Sequence, residues 1–216
     1  MRLTWRGTLR YAETLEEQRR YRDDVARGDA PQAMWGLEHL PVITTGRRDA
    51  LVDDARVAAA GYDLVRTERG GLATCHEPGQ LVGYLFVDAS TLGVRRLVAA
   101  IEAGLADWLG TQGLPAGPRE GYPGVWVGRE KVAAIGLHVS RSITMHGFAL
   151  NLVNDLRGFS LITPCGITDG GVTSVARLLG AAPSPEVAWT AVGEAVARRV
   201  CAPEHTQALD SVGPRM

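Results

Sequence analysis

The sequence is almost without lysine. Of its 23 lysine and arginine residues, all but one are arginine, and the single lysine is Lys131. A coding bias toward arginine explains the general imbalance, so only the exception is informative. Arginine stays protonated, whereas a partly buried lysine can lose its proton and act as a base. Lys131 precedes the apolar, strand-like run 132–136, which favours a functional amine. A solvated lysine at the start of a strand is the alternative.

Long apolar runs, excess charge and paired cysteines are also missing. No apolar run approaches the roughly 20 residues of a membrane helix, and the first residues lack the apolar region of a signal peptide. A net charge of −1 argues against nucleic acid as a partner, because phosphate binding favours a basic excess. Three distant cysteines form no disulfide framework, and no Cys/His pair has zinc-ligand spacing, so no metal is expected. We therefore expect a cytoplasmic protein with free thiols and no membrane partner.

The bulk composition is that of a globular domain. The 216 residues are 45% hydrophobic and 22% charged, which is ordinary for globular chains, and a chain of this length buries a core without disulfide staples. The sequence predicts a single domain over 1–216, with a core of about 1–202 and a frayed tail over 203–216.

Hydrophobic periodicity and turn residues predict more strands than helices. Strands are predicted over 3–9, 33–46 with a break at Pro41, 62–67, 81–87, 125–127, 131–139 and 144–152. Helices are predicted over 11–27, 94–109, 172–180 and 185–200, the last opened by Ser184 as N-cap and Pro185. The stretch 113–123 is rich in proline and glycine and predicts a loop. Strands joined by short turns predict an α+β domain with a mostly antiparallel mixed sheet flanked by helices, not a doubly wound nucleotide fold.

A glycine-containing loop over 69–80 is a candidate binding element. Gly70 and Gly71 let the backbone approach a ligand or adopt positive φ, Arg69 offers a cation, and His76 offers a donor or a base. The loop is not a P-loop, because it lacks the Lys-Ser/Thr ending. A plain glycine turn between strands is the alternative.

Cys165 is the candidate nucleophile. It stands between Pro164 and Gly166, in a turn where a thiol can be exposed and where glycine frees backbone N–H groups for an oxyanion hole. A lysine and a loop cysteine together suggest an activated thiol, although an inert loop thiol is the alternative. Cys75 is weaker, because in a strand it would face away from its neighbour His76. Cys201 ends a helix and is expected to be inert.

The other histidines carry weaker signals. A lone histidine is more often a hydrogen-bonded structural residue than a catalyst, and we assign that role to His138 and His205. His39 and His146 are possible supporting residues of a site.

Five segments in colinear order resemble the lipoyl(octanoyl) transferase family. The segments cover roughly residues 35–180 and are Glu38-His39-Leu40-Pro41-Val42, Arg69-Gly70-Gly71 with Thr74 to Tyr84, Gly128 to Gly136, Met145 to Asn151, and Pro164-Cys165-Gly166-Ile167. Each segment alone is modestly specific, but the ordered set is highly specific.

This resemblance implies a fold similar to the catalytic module of biotin and lipoate protein ligases. It implies that octanoyl-acyl carrier protein is the donor and that no cofactor is needed. The implied acceptors are lipoyl domains of 2-oxoacid dehydrogenases and the glycine cleavage H protein. It places the acyl-thioester intermediate on Cys165 and an assisting amine on Lys131. The implied substrate contacts are Arg69, Gly70, Gly71, Leu72, Ala73, Thr74, Cys75, His76, Ala134, Ile135, Gly136, Gly147, Phe148 and Ala149.

The chain departs from the family pattern at two positions. The family has an aromatic residue before the loop histidine and a glycine after it, where this chain has Cys75 and Glu77. We expect Cys75 to change the wall of the acyl pocket and Glu77 to add a charge near the entrance. Both bear on acyl-chain preference rather than on the reaction type.

Other functions remain open from sequence. An ATP-dependent lipoate or biotin protein ligase shares the fold but has no need of Cys165. A non-catalytic acyl-binding homologue has no need of either Cys165 or Lys131. A cysteine hydrolase with His76 or His146 as its base would need a path for water.

Overall fold

The computed structural model describes residues 1–48, 52–162 and 170–202. Their strands, in chain order, are β1 (Arg2–Leu9), β2 (Ala33–His39), β3 (Val42–Thr45), β4 (Asp63–Arg66), β5 (Thr74–His76), β6 (Gln80–Phe86), β7 (Ala116–Arg119), β8 (Tyr122–Val127), β9 (Glu130–Ser140), β10 (Ile143–Asn151) and β11 (Gly171–Val172). The helices are α1 (Tyr11–Arg27), α2 (Asp54–Ala59), α3 (Val94–Thr111), α4 (Val175–Leu179) and α5 (Pro185–Cys201), with a 3₁₀ turn at Arg157–Leu161.

A large mixed sheet forms the body of the protein. Its strand order is β1-β2-β6-β10-β9-β8-β7, with β11 beside the start of β9. The β1/β2 and β11/β9 pairs are parallel and the others antiparallel. A two-residue turn at Arg141 and Ser142, both with positive φ, joins β9 to β10, as expected for a tight hairpin. A second sheet has the order β4-β3-β5. The predicted α+β fold with a mostly antiparallel sheet is confirmed.

Helices cover both faces of the large sheet. On one face, α3 and α5 pack against each other and against the sheet, and α3 buries Leu97, Ile101, Leu105 and Leu109 at helical spacing. On the other face, α1 contributes Tyr11 and Leu15 to a second apolar cluster. The predicted Ser184 N-cap and Pro185 start of α5 are confirmed. None of the helices in the described residues is long and apolar enough to span a membrane.

Three local predictions are wrong or incomplete. The stretch 113–123 is not all loop, because β7 pairs with β8 at the sheet edge. Pro118 is tolerated there since an edge strand need not donate every backbone hydrogen bond. Helix α4 starts at Val175 rather than 172, because Val172 pairs with β9 and Ser174 caps the helix. The short elements α2 and β5 were not predicted.

Candidate active site

A cavity lies on the α1 face of the large sheet, and its floor is made of small residues. It encloses about 540 Å³, counted with its open mouth. Register places two rows side by side across three strands: Val82, Ala149 and Ala134 in one row, and Tyr84, Gly147 and Gly136 in the next. The short side chain of alanine and the lack of one at glycine leave a smooth trough along β9 and β10, which suits a straight hydrocarbon chain.

The roof of the cavity is the loop that follows β4. Arg69 to Thr74 line it, and the Gly70 N–H donates to the Leu137 carbonyl at 3.0 Å, which holds the loop over β9. A Cβ at Gly136 would lie 3.0 Å from the Gly70 carbonyl oxygen. The close approach of loop and strand therefore requires glycine on the strand.

Arg69 is part of the roof rather than a solvated cation. Its side chain is buried, and its guanidinium donates to the Thr44 hydroxyl and carbonyl at 2.9 and 2.7 Å and to the Gly70 carbonyl at 3.0 Å. These bonds fix the loop to β3. They also place a permanent positive charge beside the cavity.

A β-bulge sets the direction of Lys131. Along the β8/β9 ladder, Val125 pairs with Ala133 but Trp126 pairs with Lys131, so Val132 is an extra residue in β9. Without the bulge, Lys131 and Ala134 would face opposite sides, since successive residues of a strand alternate. The extra residue reverses the alternation. Lys131 therefore lines the same cavity as Ala134.

The Lys131 amine is buried at one end of the trough. Its side chain is 6% exposed, so the amine is largely shielded from bulk water. Among its contacts, Nζ donates to the Pro123 carbonyl at 3.1 Å and lies 4.9 Å from the centroid of the Trp126 ring. Gly124 makes room for the stem, since a Cβ there would lie 3.3 Å from the Lys131 Cε.

His76 presents one ring nitrogen to the cavity in a fixed tautomer. The Gln80 amide nitrogen donates to the Cys75 carbonyl and to Asn151 Oδ1, so the Gln80 oxygen must accept from His76 Nδ1, at 2.7 Å. Nε2 is then the unprotonated nitrogen, and it forms no hydrogen bond within the described residues. Burial lowers the pKa of His76 well below its ordinary value. The ring is a neutral acceptor at the cavity wall.

His39 supports the site from behind the wall. Its Nδ1 donates to the Leu9 carbonyl at 3.0 Å, so Nε2 accepts from the Tyr84 hydroxyl at 2.6 Å. Burial lowers the pKa of His39 to about 4, and the ring stays neutral. Its ring is tilted against that of Tyr11 and edge-on to that of His76, and it does not line the cavity.

His146 lines the cavity at the end away from Lys131. It pairs with Leu137, two positions beyond the Ile135 partner Phe148. Its backbone is left-handed, with φ of 60°, and burial first, then the Arg69 charge, lowers the pKa of its ring to about 3 against the opposing effect of Glu68. Neither ring nitrogen has a hydrogen-bond partner among the described residues.

Cys75 and Glu77 do not lie where the sequence placed them. Cys75 alternates with His76 along β5, so its side chain is buried between Tyr62 and Ile162 in a separate apolar cluster and not in the cavity. Contrary to the expectation that Cys75 contacts substrate, it does not line the cavity. Burial first, then the Glu77 carboxylate, raises the pKa of this thiol far above its ordinary value, so it stays protonated.

Glu77 is buried rather than near an entrance. It is 4% exposed and accepts hydrogen bonds from the Tyr62 hydroxyl at 2.7 Å, the Leu156 backbone N–H at 3.0 Å and the Asn154 amide at 3.1 Å. Its charge anchors the chain after β10. The expectation that Glu77 adds charge to the cavity mouth is wrong.

The remaining predicted substrate contacts lie together around this cavity. Arg69, Gly70, Gly71, Leu72, Ala73, Thr74, His76, Ala134, Ile135, Gly136, Gly147, Phe148 and Ala149 all line it, together with Lys131. Their contacts with substrate stay predictions. Sequence reasoning missed Tyr11, Val82, Tyr84 and Pro123 on the wall and Asn151 behind it. Asn151 carries a readable signal, because it is a polar residue at the end of an apolar strand.

Pro164, Cys165 and Gly166 lie outside the described residues, as does His205. The described chain resumes before β11, where Val172 pairs with Lys131 and the Thr173 N–H donates to the Lys131 carbonyl at 3.0 Å. Val172 and Thr173, which belong to the described residues, therefore lie beside Lys131. His138 is half-buried on β9 away from the cavity, and Cys201 is exposed at the end of α5.

Sequence comparison identifies relatives over most of the chain. The family described as Lipoyl protein ligase A/B catalytic domain matches residues 10–198. A Myxococcus xanthus protein named Octanoyltransferase is 38% identical over 220 residues, covering 96% of this chain and 60% of its own length. An Alkaliphilus metalliredigens Octanoyltransferase is 40% identical over 181 residues, covering 81% of this chain and 83% of that protein. The chain spans less than two thirds of the Myxococcus protein but most of the Alkaliphilus one.

Structure comparison identifies the fold. A putative lipoate protein ligase from Thermoplasma acidophilum matches with a TM-score of 0.70 at 17% identity, covering 92% of this chain and 83% of that one. Biotin protein ligase from Aquifex aeolicus, in complex with biotin and ATP, matches with a TM-score of 0.55 at 11% identity, covering 92% and 70%. The predicted likeness to the biotin and lipoate ligase module is confirmed. From the sequence matches, the chain belongs to the lipoyl protein ligase A/B catalytic domain family and, within it, to the octanoyltransferases, which are acyltransferases.

Proposed function

We propose that the protein transfers an octanoyl or lipoyl group from acyl carrier protein to a lysine of lipoyl domains in 2-oxoacid dehydrogenases and of the glycine cleavage H protein. Cys165 is the nucleophile and Lys131 the assisting amine, in the cytoplasm and without a cofactor. The observation that carries the proposal is the position of Lys131. It is the one lysine of the chain, and it lies buried at the end of a trough of alanine and glycine.

The first half-reaction moves the acyl group onto the protein. The Cys165 thiol gives its proton to the Lys131 amine, and the thiolate attacks the carbonyl carbon of the donor thioester. A new sulfur–carbon bond forms, and the bond to the pantetheine sulfur breaks. That sulfur leaves with the proton from Lys131. Because one thioester replaces another, the step is nearly isoenergetic and needs no ATP.

The second half-reaction releases the acyl group to the acceptor. The acceptor lysine amine attacks the acyl carbon on Cys165, and Lys131 removes a proton from the attacking nitrogen. An amide bond forms while the carbon–sulfur bond to Cys165 breaks. The departing sulfur takes the proton back from Lys131, so the protein returns to its starting state.

The trough orients the acyl chain for both steps. Its floor of Ala134, Gly136, Gly147 and Ala149 holds a straight chain by apolar contact, and the roof residues Gly70 and Gly71 cover it. Holding the thioester at a fixed distance from two reacting groups converts bimolecular steps into effectively unimolecular ones. Exclusion of bulk water by the roof favours transfer to an amine over hydrolysis.

Kinetics test the covalent route. Initial rates with varied octanoyl-acyl carrier protein and varied unmodified lipoyl domain should give the parallel-line pattern of a ping-pong reaction. Cys165→Ser should abolish turnover. A strict requirement for a ternary complex would exclude the acyl-thioester intermediate.

An ATP-dependent ligase is the second candidate, since a solved structure of the same fold is lipoate-protein ligase A bound with ATP, at 15% identity and a TM-score of 0.71. Lipoate-dependent exchange of pyrophosphate into ATP would reveal an acyl-adenylate. We expect no exchange, and we expect the same result with Cys165→Ser. Exchange that survives the loss of Cys165 would favour the ligase.

A further inference from the structure

The end of the cavity remote from Lys131 carries a histidine whose ring nitrogens have no hydrogen-bond partner among the described residues. His146 is 2% exposed, yet Nδ1 and Nε2 both lack a hydrogen-bond partner among the described residues. Gln18 of α1 is fully buried beside it, its Oε1 accepts the His146 backbone N–H at 3.0 Å, and its side chain is hydrogen-bonded to Tyr84. Buried polar atoms are almost always hydrogen-bonded. The two ring nitrogens of His146 therefore call for a group from outside the described residues.

The backbone at His146 aims the ring into the cavity. Adjacent residues of a regular strand face opposite sides, yet His146 and Gly147 both line the same cavity. The left-handed φ of 60° at His146 breaks the alternation. Histidine adopts this region more readily than most residues, and such strained positions persist where the surrounding structure enforces them. The unpartnered ring is therefore held in the cavity rather than turned away from it.

The chemistry of this end selects a small neutral group. A neutral imidazole offers one N–H donor and one acceptor nitrogen. A ligand group that satisfies both nitrogens must donate to one of them and accept from the other, which an anionic oxygen cannot do. A hydroxyl, which both donates and accepts, matches the set.

The strand register places this end beyond the acyl trough. Lys131 and Leu137, the partner of His146, are separated along β9 by about 17–20 Å at about 3.3 Å per residue, with Ala134 and Gly136 between them. A chain of eight to ten carbons spans about 9–12 Å at ordinary carbon–carbon bond lengths. Such a chain, with its carbonyl near the Lys131 amine, covers about half to two thirds of that backbone distance. The side chains of Lys131 and His146, which both line the cavity, take up part of the rest.

We propose that His146 forms a polar subsite that binds a hydroxyl group at the far end of an acyl chain. The protein then takes ω-hydroxyacyl groups as ligands besides plain acyl groups. Only the assignment of the Lys131 end to the thioester rests on the proposed function. The hydroxyl subsite itself is defined by the unpartnered nitrogens at the other end.

Two ligand pairs of equal heavy-atom count test the subsite. The pantetheine thioesters of 8-hydroxyoctanoic acid and nonanoic acid form one pair, and those of 10-hydroxydecanoic acid and undecanoic acid form the other. Each pair differs in one atom, a terminal oxygen against a terminal carbon. Binding is measured by calorimetry on the full-length Cys165→Ala protein, which prevents acyl transfer and keeps the readout independent of the proposed reaction.

The expected result is a change in preference when the imidazole is removed. In at least one pair, His146→Leu should shift the ratio of dissociation constants toward the methyl-ended ligand by about two- to tenfold, since a hydrogen bond of ordinary strength is worth a change of that size. His146→Asn, which tolerates the left-handed backbone and keeps a donor and an acceptor, should retain most of the hydroxyl preference. Val139→Leu, a change on β9 at a residue that does not line the cavity, should leave the ratio unchanged.

An unchanged ratio in a folded His146→Leu protein would overturn the proposal. A measurement on unmutated His146 covers the case in which that variant fails to fold. With ¹⁵N-labelled histidine in the Cys165→Ala protein, the His146 ring signals should shift on addition of a hydroxyl-ended ligand and not on addition of its methyl-ended partner. Equal shifts would contradict the subsite. Failure of the transferase shows separately, as absence of acyl transfer by the wild-type protein.

Discussion

Lys131 and Ala134 face the same cavity although they lie three positions apart on β9, an offset that puts two residues of a regular strand on opposite faces. The extra residue Val132 in the β8/β9 ladder accounts for this. The bulge brings the buried amine into line with the small-residue trough, so that a base stands at the end of an acyl-binding surface. β-Bulges commonly re-aim a side chain next to a functional site.

Lys131→Arg should cripple acyl transfer while charge is kept. Arginine cannot give up its proton at ordinary pH, and general acid–base assistance contributes about 10²–10⁴-fold, so we expect a loss of at least about 100-fold. Single-turnover transfer of octanoyl from labelled protein to a lipoyl domain measures it. Near-normal rates in the arginine variant would disprove the base role of Lys131.

Ala134→Leu should fill the trough and shorten the acyl chains that the protein accepts. The added side chain would lie across the floor between Ala149 and Gly124, so octanoyl transfer should fall by about tenfold or more while butyryl transfer is retained. The matched control is Val139→Leu on the same strand, which does not line the cavity. Parallel losses for both chain lengths would indicate general damage instead of a blocked trough.

Gln80→Leu should release the tautomer of His76. The Gln80 oxygen is the acceptor for His76 Nδ1 at 2.7 Å, and without it the proton can move to Nε2. In ¹⁵N spectra of the histidines, the variant should show a mixture of His76 tautomers where the wild type shows one. A single, unchanged tautomer would mean that another group fixes the ring.

Glu77→Ala should lower the free energy of unfolding by about 2–4 kcal/mol, because it leaves buried donors of Tyr62, Asn154 and Leu156 without an acceptor. Urea denaturation measures the loss. Asp107→Ala is a matched control, since Asp107 binds Arg199 at an exposed position where such pairs contribute less than about 1 kcal/mol. Similar losses in the two variants would show that the buried position of Glu77 has no special effect.

The protein should lose stability as the pH falls below about 6.5. The folded-state pKa is about 4 for His39 and about 3 for His146, against 6.5 in the unfolded chain. Between these values the unfolded state binds more protons, so stability is full above the unfolded pKa and falls toward acid pH. Each ring contributes about 2 kcal/mol of loss between pH 6.5 and 5.

Urea denaturation at pH 7.5 and 5.0 tests this dependence. His146→Asn should reduce the difference between the two pH values by about 2 kcal/mol. His138→Asn should reduce it less, because His138 is half-exposed and its pKa is lowered to a smaller extent. The same pH dependence in wild type and His146→Asn would show that folding does not lower the pKa of His146.

Local pattern was sufficient for much of the fold. The apolar periodicity of 94–109 and the alternation of 144–152 are properties of short segments, and both predicted elements are present as α3 and β10. The small residues Gly136, Gly147 and Ala149 were implied as substrate contacts by the resemblance to the family, not by local pattern. Their juxtaposition follows from strand pairing that pattern alone does not specify.

Features that depend on pairing between distant segments were not predictable. The bulge at Val132 exists only relative to β8, and nothing in the run 131–139 marks it. The expectation for Glu77 rests on the family pattern, in which a glycine follows the loop histidine, yet alternation and the donors of Tyr62 and Leu156 bury Glu77 away from the cavity. Gln18 lies in a highly charged helix, where a single amide carries no visible signal.

Peptide mass spectrometry after incubation with octanoyl-acyl carrier protein tests the central claim most directly. The account predicts an octanoyl adduct on the peptide that contains Cys165, present in wild type, reduced in Lys131→Arg, absent in Cys165→Ser, and removed by an unmodified lipoyl domain that gains the octanoyl group. An intact carrier thioester with no adduct on Cys165, or an adduct that the lipoyl domain does not remove, would contradict it.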